Sequence, residues 1–357
     1  MNSIDLGSYL NSFFFIQIKT KENLENLSTL SPTTRSTFIH EYTHFLQDIV
    51  TVFGLRKITH QVDFIKRMAQ GILNGNTLTF DVPVKIPKND IQWTNVDLDD
   101  LYWGNYDFAL PFDKIVSVDY VENEIIENFE SEKIVKVKVL NSRSNKHEDF
   151  CFGAYCIRES MAHLIESELS KKNIQVPTFP YKTVEYLWEY FFPEISSNTL
   201  SLIALCDFAL HSYNPALHLV EFLERMKREN IIPGSPKELI QETNKYRYFE
   251  YGQEISISAS ELFDSTFALA RKSLTDYFTD DYFKPVINWI EILLEKAYDL
   301  RVYQGFSFID FVKSDTDTSI DYFFKIKDSI GIPILSNDND QFFVPQNPGN
   351  QKKPSYV

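Results

Sequence analysis

The chain has 357 residues, enough for one large domain or two smaller ones, with 43% hydrophobic and 24% charged content, which is ordinary for a folded protein. The 30 Phe and 19 Tyr supply a large core. With 35 basic and 50 acidic residues the formal charge is −15, which opposes binding to nucleic-acid phosphates or anionic membrane surfaces but leaves a peptide or protein partner open.

The first residues, Met1 to Asp5, carry no basic region or small-residue cleavage site, and no apolar run approaches the length of a membrane span. Cys151, Cys156 and Cys206 form a sparse, odd set that implies no disulfide framework. A cytoplasmic protein is the expectation. Residues 8–19 contain Phe13-Phe14-Phe15-Ile16-Gln17-Ile18, which reads as a strand and offers an edge on which an extended peptide can pair. A polar stretch, Lys19 to Ser28, leads to Ser31-Pro32, a helix N-cap followed by a first-turn proline, and Gly54 is the expected stop. A second helix is expected over residues 56–73, with Ile58, Val62, Ile65 and Met68 on one face and His60 as an ordinary surface or core histidine.

Residues 74–128 change character and read as an insertion. Val82 to Pro87 alternates but carries prolines, so it suggests an edge strand or extended loop, and the stretch 97–106 is acidic and aromatic. Lys133 to Val139 is a half-buried strand, Asn141 to Lys146 a polar turn, and His147 to Phe152 its hairpin partner. Gly153 and Ala154 open a helix to about Lys171, and Pro177 and Pro180 break the chain. Beyond residue 181 the pattern is mainly helical, most clearly over 199–213, 215–229, 258–278 and 282–303. The expected organisation is a core over 1–180, a helical region over 181–335 packing on it, and a disordered tail over 336–357.

The chemistry concentrates in Thr37-Phe38-Ile39-His40-Glu41-Tyr42-Thr43-His44-Phe45-Leu46-Gln47-Asp48, which contains H-E-x-x-H. Helix positions four apart share a face, so His40 and His44 can reach one zinc ion, with Glu41 beside them to take a proton from water. The helix is otherwise apolar, yet His40, Glu41, His44, Gln47, Asp48 and Thr51 recur at steps of three and four. An unpaired buried polar group costs on the order of a few kcal/mol, so either this stripe faces solvent or a metal and its supporting groups occupy it.

Catalytic zinc takes three protein ligands. Phe45 to Val50 lacks the histidine and glycine of the short metzincin continuation, so the third must come from a distance. In Tyr155-Cys156-Ile157-Arg158-Glu159-Ser160-Met161-Ala162-His163-Leu164-Ile165-Glu166, the residues Glu159, His163 and Glu166 share one helical face. Glu159 is the preferred ligand. His163 and Glu166 are the alternatives, as ligands or as groups that orient ligands, and the small Ala162 favours close helix approach.

His40-Glu41-Tyr42-Thr43-His44 followed by the distant Glu159-Ser160-Met161-Ala162 resembles the gluzincin branch of zinc metallopeptidases. In that branch a glutamate on a second helix completes the ligand set, often within E-x-x-A or E-x-x-x-D. The resemblance covers these two segments. It implies an α+β fold with a zincin-like core, a small antiparallel sheet and a mainly helical C-terminal part. It further implies Zn2+ on His40, His44 and Glu159, and peptide-bond hydrolysis with Glu41 as general base. His163 stands where the family often places an aspartate that braces a zinc histidine. For the oxyanion, Asp207 and His211 in the apolar stretch Leu200 to Leu210 and just beyond it suggest His211, with Tyr213 beside it; a structural Asp–His pair at a helix end is the competing reading. His147 and His218 read as surface residues, and the cysteines as core filler. The alternatives to a peptidase are a non-catalytic zinc-binding helical interaction protein and a helical scaffold without metal.

Overall fold

The computed structural model describes residues 6–10, 14–73, 91–105, 107–123, 132–171, 174–249, 256–276, 281–312, 315–339 and 341–343. The N-terminal elements are β1 (Gly7–Leu10), β2 (Phe15–Ile18), α1 (Pro32–Val50), α2 (Val52–Leu73) and α3 (Ile91–Trp103). A three-stranded meander follows, β3 (Lys114–Asn123), β4 (Glu132–Asn141) and β5 (Lys146–Phe152), leading into α4 (Ala154–Ser170). Then come α5 (Thr183–Phe191), α6 (Thr199–Leu210), α7 (Pro215–Arg228), α8 (Pro236–Asn244), β6 (Tyr248–Phe249), β7 (Ser256–Ile257), α9 (Ala259–Thr275), α10 (Lys284–Tyr298), α11 (Thr316–Ile330), β8 (Ile334–Ser336) and β9 (Phe342–Phe343). The protein is mixed α+β and mostly helical, and no described helix is long and apolar enough to cross a membrane.

Helix α1 starts as its sequence requires. Ser31 Oγ accepts from the Thr34 amide, Pro32 occupies the first turn, and Glu22 accepts from both Ser31 N (2.7 Å) and Ser31 Oγ (2.6 Å). Its end differs from expectation. Thr51 breaks the helix in an extended conformation, its hydroxyl donating to Gln47 O (2.6 Å), and α2 starts at once. Gly54 therefore lies inside α2 instead of closing α1. A Cβ there would come within 2.3 Å of Asp48 Cα, so glycine is what lets α2 fold back against α1.

The expected single N-terminal strand is a hairpin. β1 pairs antiparallel with β2 (Gly7 opposite Ile18), and β2 pairs parallel with β8 (Phe15 opposite Ile334). The sheet order is β1-β2-β8-β9, so β2 is interior and cannot receive a further strand; β1 and β9 are the edges, and β1 is the one beside α1. Thus the first and last described strands share one sheet, which is mixed and not purely antiparallel. Ser336, where a disordered tail is expected to begin, is paired in β8, and Ser336 and Asn337 are both buried. Asn337 Nδ2 donates to Glu22 O (2.9 Å), tying this segment to the approach to α1. Residues 344–357 and the proline-bearing stretch 82–87 lie outside the described residues.

The hairpin expected near residues 133–152 is present as β4 and β5, with Val137 opposite Phe150, and β3 joins it as a third strand. Val135, Val137, Val139, Phe150 and Phe152 turn inward. Asp97 to Trp103, expected within an insertion, lies in α3. Helix α1 is buried on almost every side, with Phe38, Tyr42, Phe45, Leu46 and Ile49 fully enclosed. It packs along α4, whose inward residues Ile157, Met161, Ala162 and Ile165 are likewise enclosed. Tyr42 buries its ring against Phe38 and donates to Gly331 O (2.7 Å), anchoring α1 to the segment before β8.

Candidate metal centre

The polar stripe of α1 does not face solvent. His44 is 6% exposed, and Thr43, Gln47, Asp48 and Thr51 are 0% exposed. Each has an internal partner. Thr43 Oγ1 donates to Ile39 O (2.8 Å), and Asp48 forms an ion pair with Arg158 of α4, both side chains enclosed. Arg158 also donates to His44 O (3.3 Å).

His40, His44 and Glu159 converge. His40 Nε2 lies 3.2 Å from His44 Nε2 and 3.2 Å from Glu159 Oε2, and His44 Nε2 lies 3.4 Å from Glu159 Oε1. The other ring nitrogens fix the tautomers. Gln47 Nε2 donates to Arg158 O (3.1 Å), so Gln47 Oε1 is the acceptor for His44 Nδ1–H (2.8 Å). His40 Nδ1–H has Glu166 Oε2 as acceptor (3.1 Å), and Glu166 Oε1 accepts from Ser36 Oγ (2.7 Å). Both Nε2 atoms are thereby aimed at one small space beside the Glu159 carboxylate; without a metal a proton on His40 Nε2 bridges the group, and a metal would replace that proton. Tetrahedral zinc with bonds of about 2.05 Å would hold its ligand atoms about 3.3 Å apart, which matches the three separations. The donor set fits a divalent metal. Burial disfavours a protonated His40, but the Glu159 and Glu166 carboxylates outweigh it and hold its pKa well above the usual imidazole range.

The three groups open into a cavity of about 560 Å³ lined also by Gly7, Ser8, Tyr9, Thr37, Glu41 and Tyr181. Glu41 is 8% exposed and sits under β1. A Cβ on Gly7 would meet Thr37 Cγ2 at 2.6 Å and Glu41 Oε1 at 3.1 Å, so the strand crosses Glu41 at a distance that only glycine permits.

The structure therefore brings His40, Glu41, His44 and Glu159 together. Glu166 braces His40. His163 stays outside the group. It is buried beside Tyr181 (ring centroids 5.7 Å apart), its Nδ1 has no partner among the described residues, and burial lowers its pKa to about 4. His211, the expected oxyanion donor, does not line this cavity. Its Nδ1 lies 2.8 Å from Asp207 O, while Asp207 Oδ2 accepts from Arg301 (3.1 Å) and Ser307 Oγ (2.7 Å). This is a structural cluster at the end of α6. Tyr213 faces another cavity and stacks on Arg56. His60 pairs with Asp99 (2.9 Å), His147 is exposed, and Cys156 and Cys206 are buried and free.

Two tyrosines line the cavity where His211 is absent. Tyr181 lies beside His40, ring centroids 6.1 Å apart, and Tyr155 lines the same cavity. Burial, then the Glu159 carboxylate, raises both phenols, so each stays protonated as a donor. Tyr155 was findable, since it precedes Glu159 by four positions on the same face. Tyr181 comes from the loop between α4 and α5 and carries no periodic signal. No family model, curated protein or solved structure matches the chain.

Proposed function

We propose that this chain is a zinc-dependent peptidase of gluzincin type with a zincin-like core, acting in the cytoplasm on a peptide or protein. The observation that carries the reading is the set of three donor atoms at the spacing of a tetrahedral zinc site, with Glu41 beside them in an open cleft. Zn2+ held by His40, His44 and Glu159 would supply Lewis acidity, lowering the pKa of a water toward about 7 and polarising the substrate carbonyl.

The chain's own residues do the rest. Glu41 takes a proton from the attacking water and returns it to the leaving amine. Tyr181 or Tyr155 donates to the developing oxyanion, a role a phenol performs only while protonated. The peptide pairs with the outer edge of β1, which passes over Glu41 and so sets the scissile carbonyl beside it. Glu166 holds the His40 ring in one tautomer, a task the gluzincin pattern gives to an aspartate three residues nearer the ligand glutamate.

Elemental analysis of the purified protein and a peptide-pool digestion test this reading. We expect about one zinc per chain in the wild type and almost none in His40→Ala. Glu41→Gln retains the metal and loses hydrolysis. Digestion by Glu41→Gln at the wild-type rate would overturn the proposal, and zinc binding without any digestion by the wild type would leave the non-catalytic zinc protein as the better account.

A further inference from the structure

The cavity continues beyond the metal-binding group. Its wall runs through Tyr155 and Arg158 to Trp103 and Lys57. The rings of Trp103 and Tyr155 lie 5.8 Å apart, Arg158 Cζ is 5.5 Å from the Trp103 centroid, and Lys57 Nζ stands 3.3 Å above that ring. Phe53 lies nearly parallel to Trp103, ring centroids 6.3 Å apart, and packs against the indole.

Lys57 stands over the Trp103 face at this wall. Among the described residues its ammonium has no hydrogen-bond acceptor and no carboxylate within ion-pair distance; the Trp103 face is its one specific contact. The nearby acids are committed or distant. Asp48 is paired with Arg158, and Asp99 with Arg56 (3.3 Å) and His60 (2.9 Å). Asp100 is not within ion-pair distance, although its charge, with those of Asp48 and Asp99, favours the protonated ammonium. Burial, then Arg158, pulls the Lys57 pKa down to about 8. The indole face holds the ammonium without using its N–H donors, which stay free for charge-assisted hydrogen bonds to an anion.

The edge strand links the two ends of the cleft. Gly7 crosses Glu41, and Tyr9, two residues on, turns its phenol toward Asp48 and Arg158, whose charges act on it. Two strand residues span about 7 Å. A peptide paired along β1 would thus carry its reacting bond at Glu41 and a neighbouring residue toward Lys57.

We propose that Lys57 and Trp103 form an anion subsite of this cleft and that it selects a substrate carboxylate close to the reacting bond. This rests on the peptidase reading for its substrate but not for its binding. The carboxylate comes either from an Asp or Glu side chain or from the free C-terminus of a short peptide.

Competitive acetylation tests the subsite without hydrolysis. The zinc-loaded Glu41→Gln protein is treated with trace acetic anhydride, and modification of Lys57 is read by mass spectrometry. Four hexapeptide pools are compared, with or without Asp and Glu, each with a free or an amidated C-terminus. Carboxylate-bearing pools protect Lys57 at least about threefold, and the amidated, acid-free pool does not. Which of the two single-carboxylate pools protects identifies the source. Equal protection by all four pools, or by none, overturns the proposal. In the second arm, wild type, Lys57→Met and Lys57→Glu digest the same pools. The ratio of kcat/KM for acidic over neutral peptides falls about tenfold in Lys57→Met, the size of one charge-assisted hydrogen bond, and further in Lys57→Glu. Carboxylate-dependent protection with no digestion by any form removes the peptidase reading and keeps the subsite. Digestion with an unchanged ratio removes the subsite and keeps the peptidase.

Discussion

Replacing Glu166 with alanine removes the acceptor shared by His40 Nδ1–H (3.1 Å) and Ser36 Oγ (2.7 Å) while leaving all three proposed zinc ligands in place. Loss of a group that orients a metal-binding imidazole weakens metal affinity about 10- to 100-fold, or roughly 1.4–2.7 kcal/mol. The upper half of that range is expected here. The His40 side chain is 12% exposed, so water cannot readily satisfy the freed N–H, and an unmet buried donor costs about 1–3 kcal/mol. Glu166→Gln keeps an oxygen for the N–H but loses the charge, so its loss should be no more than about threefold to tenfold. The assay is zinc competition against a chromophoric chelator, with Glu159→Ala as the variant that loses a ligand outright. The expected order of affinity is wild type, Glu166→Gln, Glu166→Ala, Glu159→Ala. Wild-type affinity in Glu166→Ala beside a large loss in Glu159→Ala would refute the coupling between brace and metal. Wild-type affinity in both would refute the ligand set.

Gly7→Ala forces a methyl against Thr37 Cγ2 (2.6 Å) and Glu41, so peptide digestion should fall about tenfold or more while zinc content stays at the wild-type level; unchanged kinetics would mean that β1 has room to move. Arg158→Met leaves Asp48 charged and enclosed at 0% exposure, which should cost about 3–5 kcal/mol in urea unfolding, and adding Asp48→Leu should restore most of it; a fully additive double variant counts against the ion pair as the cause. His211 has a pKa lowered to about 4 by burial and Arg301, against about 6.5 when unfolded, so the unfolded chain binds the extra proton in between. Its contribution is therefore complete above about pH 6.5 and lost as pH falls toward 4. His211→Asn should lose about 2 kcal/mol less than wild type between pH 7 and 4.5, and parallel curves would show that His211 is not the titrating group.

What the sequence discloses follows from how far each interaction reaches along the chain. His40 and His44 share a face because of helix geometry alone, and Ser31-Pro32 and Asn214-Pro215 mark helix starts because a cap acts within one turn; Ser31 accepts from Thr34 N and Asn214 from Leu217 N (3.3 Å). The β4–β5 hairpin is legible for the same reason, since alternation and a polar turn are local. β8 is not legible as part of the first sheet, because its parallel pairing with β2 joins residues more than 300 positions apart. Gly54 misleads because a glycine that ends a helix and one that lets a neighbouring helix approach look alike in sequence. Tyr181 and Lys57 reach the cleft from a loop and from α2, so neither has a spacing that ties it to the H-E-x-x-H motif.

The choice among Glu159, His163 and Glu166 shows where pattern ends and packing begins. Spacing places all three on one face of α4, and each has the chemistry to meet an imidazole. Which one does so depends on how α4 lies along α1. That placement is set by the enclosed residues Ile157, Met161 and Ile165 on one helix and Leu46 and Ile49 on the other, and by the buried Arg158–Asp48 pair. With the helices so placed, Glu159 faces both Nε2 atoms, and Glu166, two turns further on, meets His40 from its Nδ1 side. His163 falls between them, where burial keeps it neutral and Tyr181 covers it. Ligand and brace are thus separated by the pitch of a single helix, and the apolar core decides which carboxylate does which.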